Sequence, residues 1–193
     1  VGVSHPSNPS ERQAPGRMDD DGDGYEGAAS GVDPDDPKAS AEFSTPDATM
    51  FVIEATKRMF TQTFPGGGLP LLYVALQAAV ECMTDRVLAS EKDLVGVVLY
   101  GTNGKQNDRG FDHVWELVPL AEPSARTIRM LRDHIKEVEV FGDSKLQKEC
   151  EGSLGSGVDL DDVLLYTQLT FNLKSTKKKY QKRVFLFTCD EQL

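Results

Sequence analysis

The sequence predicts an α/β sandwich: a mostly parallel sheet with helices packed on its faces. Three observations carry this. Apolar runs of strand length stand at Met50–Ile53, Leu94–Tyr100 and Val184–Phe187. Between them, apolar residues recur at three- and four-residue spacing, the period of a helix with one buried stripe. Gly- and Pro-containing segments punctuate the switches from one period to the other.

Taken in order, Met50-Phe-Val-Ile53 is short and unbroken, as expected for a strand covered on both faces. Gly66-Gly-Gly-Leu-Pro70 ends with a proline suited to a first helical turn. Leu72, Leu76, Ala79, Met83 and Val87 then define one face of a helix over about 70–89. Leu94–Tyr100 reads as a second buried strand. Val114, Glu116 and Val118 alternate against Trp115 and Leu117, which suggests a strand nearer the sheet edge. Pro123 restarts a helix, with Ile128, Leu131, Ile135 and Val138 on one stripe. A Gly/Ser-rich loop runs over 152–157, and Ser156 with Asp159 resembles a capping box for a helix reaching about Asn172. Val184–Phe187 is the fourth strand.

At 193 residues the chain suits one domain, or one domain and a tail. The charge is unevenly placed. Residues 1–48 hold eleven Asp/Glu against Arg12, Arg17 and Lys38, which is −8 of the chain's −10. Rich in Pro, Gly, Ser and Asp, residues 1–47 bury too little apolar surface to offset ordering entropy, and are expected to be a disordered acidic tail. Residues 48–193 form the expected domain. An acidic tail repels phosphate, which argues against nucleic-acid binding by that segment. Asp19–Gly24 looks like the start of a calcium loop, but the twelfth position is Ser30 or Val32 where a Glu is needed.

Cys82, Cys150 and Cys189 have no metal-ligand spacing and are odd in number, which fits a reducing nuclear or cytosolic setting. No run approaches 18 apolar residues, and no signal peptide is visible, so no membrane partner is expected. Val1 opens the chain and Leu193 closes it directly after an apolar strand, so a fragment of a longer protein is expected.

Several segments together carry a family resemblance. Val95-Gly-Val-Val-Leu-Tyr-Gly-Thr102 is followed by Phe111-Asp-His-Val-Trp-Glu-Leu-Val-Pro-Leu-Ala-Glu-Pro-Ser124, and Met50–Phe60 lies upstream. With the Arg183-Val-Phe-Leu-Phe-Thr188 strand, these resemble the N-terminal von Willebrand A-like domain of the Ku heterodimer. The resemblance is closer to the seventy-kilodalton subunit and covers roughly 44–190. It implies a three-layer, Rossmann-like sandwich that lacks its last strands. It further implies a nuclear subunit of the DNA-end-binding complex of non-homologous end joining and telomere maintenance. The implied partners are the eighty-kilodalton Ku subunit, double-stranded DNA ends through regions beyond Leu193, and end-joining and telomere proteins. This region would serve protein–protein interaction.

In von Willebrand A domains the crevice beyond the strand carboxyl ends holds a metal, with Asp-x-Ser-x-Ser after the first strand. The matching residues here are Glu54-Ala-Thr56-Lys57-Arg58. Glu54 and Thr56 keep oxygen ligands, and Asp190 after the fourth strand is a candidate remnant of a later acidic ligand. Arg58 opposes a divalent ion by roughly 4 kcal/mol per unit-charge pair at 4 Å in a partly screened site. A degenerate site with no bound metal and no cofactor is therefore expected. The competing reading is a stand-alone von Willebrand A domain that binds a protein ligand through a divalent metal held by Glu54, Thr56 and Asp190.

Catalytic motifs are not evident. Ku subunits are labelled ATP-dependent DNA helicase subunits, yet Gly101-Thr-Asn-Gly-Lys105 lacks the first glycine and the Ser/Thr of a phosphate-binding loop. The lysine-dependent lyase activity associated with the family does not carry over. Lys38 lies 16 residues before Glu54 in an acidic setting that favours its protonated form. His5, His113 and His134 are scattered. Lys174, Lys177, Lys178, Lys179, Lys182 and Arg183 place six positive charges in ten residues beside Tyr180. They are candidate phosphate contacts or an import signal, weighed against a solvated connection between helix and strand.

Overall fold

A computed structural model describes residues 45–89, 92–151, 160–176 and 178–189. Strand β1 (Asp47–Glu54) is followed by the short helix α1 (Lys57–Thr61) and the long helix α2 (Leu71–Ala89). Then come β2 (Leu94–Tyr100), β3 (Val114–Ala121), α3 (Ala125–Phe141), α4 (Lys145–Cys150), α5 (Leu160–Lys174) and β4 (Gln181–Phe187). The sheet order is β3-β2-β1-β4. β1 pairs in parallel with β2 and with β4, while β2 pairs antiparallel with β3. The predicted α/β class, with a mostly parallel sheet, is the observed one.

Every residue of β1 and β2 is buried, so these strands form the centre of the domain. Their side chains alternate between two cores. Phe51, Ile53, Val97 and Leu99 meet α2 and α3 on one face. Met50, Val52, Val98 and Leu120 meet α5 on the other through Val163, Tyr166 and Phe171. Three layers result. Gly96 permits the close approach at the β2–β3 contact: a Cβ there would lie 2.9 Å from Met50 Sδ and 3.1 Å from the Leu120 Cα. The register between β2 and β3 shifts on either side of Val97.

The helices begin and stop where their caps dictate. Ser124, not Pro123, caps α3 by accepting from the Thr127 N–H, and Gly142 ends it in the left-handed region at φ 77°. Pro123 stands one residue before the cap. The expected stripe of Ile128, Leu131, Ile135 and Val138 is buried. In α2 the face departs from expectation at one position: Leu72, Leu76, Ala79 and Met83 are buried, but Val87 is 46% exposed. Thr84 already sits opposite the start of α3 at Ala125 and Ile128, so Val87 lies beyond the partner helix.

Some boundaries also differ. Asp47, counted with the acidic tail, is the first residue of β1 and is buried. Helices α1 and α4 have no counterpart in the sequence reading. Residues 1–44 of the tail, the 152–157 loop and the Ser156/Asp159 cap lie outside the described residues. β4 starts at Gln181, so Lys182 and Arg183 belong to a strand and not to the connection before it. It is an edge strand, and Val184, Phe185 and Leu186 remain 38–46% exposed.

Candidate functional site at the strand carboxyl ends

The order of the sheet fixes where a site belongs. The chain moves outward from β1 through β2 to β3, then returns to place β4 on the far side of β1. The direction therefore reverses between β1 and β4, and the carboxyl ends of these strands are where open α/β sheets carry their sites. Glu54 is the last residue of β1, and Thr188 and Cys189 follow β4. Glu54 and Thr56 are the residues the sequence singles out here; the structure adds Thr188, the end of the Arg183–Thr188 segment, and Cys189.

Glu54 is only 6% exposed, and its carboxylate is fully engaged. Oε1 accepts from Thr56 Oγ1 at 2.5 Å and from Cys189 Sγ at 3.3 Å. Oε2 accepts from Thr188 Oγ1 at 2.6 Å and from the Cys189 N–H at 2.9 Å. Burial alone would raise the pKa of this carboxyl. The hydrogen bonds from Thr188, Thr56 and Cys189 outweigh burial and hold it below the usual carboxylate range. Burial and the adjacent Glu54 push the Cys189 thiol up, so it stays protonated and donates.

This arrangement does not fit a divalent ion. A carboxylate offers about four lone-pair directions, and four donors occupy them. A metal would have to displace hydroxyl, thiol and backbone donors in a buried site. Arg58 is exposed on α1, so solvent screens the charge opposition expected from sequence. The saturated carboxylate is the stronger argument. Among the described residues no group of three or more His, Cys, Asp or Glu is placed to hold a metal ion. Asp190 lies outside the described residues. What the cluster does is mechanical: one ionised side chain ties the end of the central strand to the segment leaving the edge strand.

The opposite end of the sheet has its own tie, which sequence reasoning missed. Arg86 on α2 pairs with Asp47 at 3.0 Å and with Asp93 at 2.6 Å, and Asp93 also accepts from the Asp47 N–H at 2.9 Å. Arg183 joins at 3.4 Å from Asp47. Asp47 and Arg183 lie far in sequence from Arg86 and Asp93, and the four belong to no motif.

The basic cluster is divided by the fold. Lys182 and Arg183 are consecutive in a strand, so they point to opposite faces. Lys182 donates to Asn172 Oδ1 at 3.0 Å on the α5 side, while Arg183 faces Asp47. Lys178 lies 5.3 Å over the Tyr180 ring, and Lys174 and Lys179 are exposed. Lys177 lies outside the described residues. The Gly101–Lys105 segment closes as a turn: Thr102 Oγ1 donates to the Gly104 carbonyl at 2.6 Å, and the chain continues to β3. His113, at φ 58°, places Nδ1 2.7 Å from the Thr102 carbonyl and braces the same loop.

A three-layer α/β domain with a mostly parallel sheet, in which a buried carboxylate ties the carboxyl ends of β1 and β4, has the von Willebrand A-like architecture. Residues 48–191 match the family described as the Ku70/Ku80 N-terminal alpha/beta domain, and the chain belongs to that family. Among curated relatives it is 31% identical over 156 residues to "ATP-dependent DNA helicase 2 subunit 1" of Rhipicephalus appendiculatus, covering 80% of this chain and 24% of that protein. It is 27% identical to "ATP-dependent DNA helicase ku70" of Dictyostelium discoideum, covering 77% of this chain and 16% of the relative. It is 26% identical to "X-ray repair cross-complementing protein 6" of Mus musculus, with 78% and 24% covered. The chain thus spans about a quarter or less of the length of these relatives.

Proposed function

We propose that this chain is the N-terminal domain of a Ku seventy-kilodalton-like subunit, with an acidic tail up to residue 46 and the α/β domain from Asp47 onward. It acts in the nucleus as a protein-interaction platform of the DNA-end-binding heterodimer in non-homologous end joining and telomere maintenance. Its obligate partner is the eighty-kilodalton Ku subunit. DNA ends are held by regions beyond Leu193, and end-joining and telomere proteins are recruited through the assembled complex.

One observation carries the platform reading: the crevice where this fold would place chemistry is filled by the four donors to Glu54. What remains for the domain is its surface. The name of one relative, "ku70", supports the seventy-kilodalton assignment. The test is co-precipitation from nuclei of the source cells with an antibody against residues 48–189. A second Ku-family polypeptide in stoichiometric amount is expected. Recovery of the protein from nuclei without such a polypeptide would reject the assignment.

A further inference from the structure

Helices α2 and α3 lie side by side on one face of the sheet, and a groove of about 380 Å³ opens between them. Its floor is Ile128 and Thr84; its rim is Arg129, Arg132, Asp133 and Lys136. The cations stand at three- and four-residue spacing, which stacks them along one side of α3. Among the described residues Arg129 and Lys136 join no ion pair, and Arg132 reaches Thr84 Oγ1 at 3.5 Å.

The distribution of charge along α3 runs against helix stability. Its first eight residues carry Arg126, Arg129 and Arg132 and no acid, and its remainder carries Asp133, Glu137 and Glu139 against Lys136. The helix macrodipole favours the reverse, with acids at the amino end and bases at the carboxyl end. The helix dipole therefore disfavours three exposed guanidiniums there, whereas recognition of an anion uses them. Guanidinium groups suit carboxylates because their paired N–H donors match two oxygens.

We propose that this groove docks an Asp/Glu-rich peptide segment of a partner protein, with carboxylates on Arg129, Arg132 and Lys136 and an apolar side chain over Ile128. Charge complementarity selects this occupant over duplex DNA. Asp133 sits within the groove, and Glu81 and Glu139 border its continuation, so no unbroken positive track exists for a phosphate backbone. A peptide places single acids beside single cations and passes between the neighbouring carboxylates.

The test uses the full 193-residue chain and a short fluorescein-labelled peptide alternating Glu and Leu, read by fluorescence anisotropy. Saturable binding is expected, weakened about tenfold or more in the double variant R129E/R132E. The control K145E/K148E, altered at exposed lysines of α4, should bind as the wild type does. The reversed groove should in turn gain affinity for the matching Lys–Leu peptide, a gain that a misfolded variant would not show. The proposal is overturned if binding does not saturate, if R129E/R132E binds the acidic peptide like the wild type, if the control loses affinity equally, or if duplex DNA displaces the peptide and binds more tightly.

Discussion

Replacing Glu54 by Gln isolates the charge of the strand tie while keeping its shape. The amide retains one acceptor oxygen, so only one of the two donor pairs remains satisfied. If the new NH₂ group takes the Oε2 side, it meets the Cys189 N–H donor-to-donor, while the Thr188 hydroxyl rotates to accept from it. The reverse orientation sets it against Thr56 and the Cys189 thiol. Either way the charge-assisted bonds are lost, each worth about 1.5–3 kcal/mol, with partial recovery from hydroxyl rotation. A net loss of about 2–3 kcal/mol at pH 7 follows. In a domain of this size that lowers Tm by about 4–12 °C.

The pH dependence fixes the sign. Glu54 titrates below its ordinary 4.5 in the folded protein, so its contribution is present above that value. It is lost as pH falls through the folded pKa. The stability gap between wild type and E54Q should therefore be full at pH 7 and shrink below pH 4.5. Urea melts followed by circular dichroism at several pH values measure this. A gap under about 0.5 kcal/mol at pH 7 would refute the reasoning, since ordinary surface changes reach that size. So would a gap that does not narrow in acid.

Gly96→Ala should destabilise by about 1–3 kcal/mol, because the Cβ meets Met50 Sδ and the Leu120 backbone, and only the methionine can move aside; denaturant midpoints report it. Arg86→Met should cost about 2 kcal/mol, since it leaves Asp93 buried without its cation while the partly exposed site lets solvent compensate in part. Shortening Asp93 to Ala in the same chain should then cost less than it does alone, which a double-mutant cycle reads. Adding millimolar magnesium should leave Tm unchanged, because a folded-state ligand would raise it by mass action and Glu54 has no open lone pair. A magnesium-dependent rise abolished by E54Q would restore the metal-binding reading.

The sheet centre was legible in the sequence because burial on both faces demands unbroken apolar runs, and Met50–Ile53 and Leu94–Tyr100 have them. The helix stripes were legible for the same reason, down to Ile128, Leu131, Ile135 and Val138. The ends of elements were harder. Asp47 reads as one more acid in an acidic stretch, and only its distant partners Arg86 and Arg183 make it a strand residue. Lys182 and Arg183 read as a charge run, but β-strand alternation separates them to two faces. Glu54 and Thr56 were found through the family pattern at the end of β1. Thr188 reads only as the end of an apolar strand, and the Cys189 N–H and thiol carry no motif. Val87 shows the limit of periodicity: spacing places a residue on a face, but not within reach of a partner helix.

The central claim is that this domain belongs to a complex that holds DNA ends. The most direct measurement is retention of the native complex, isolated through this domain from source nuclei, on linear against covalently closed circular DNA of the same sequence. The account predicts that linear DNA is held at salt concentrations where circles are not, because end entry and not sequence sets the affinity. Equal retention on both forms, or none on either, would contradict it.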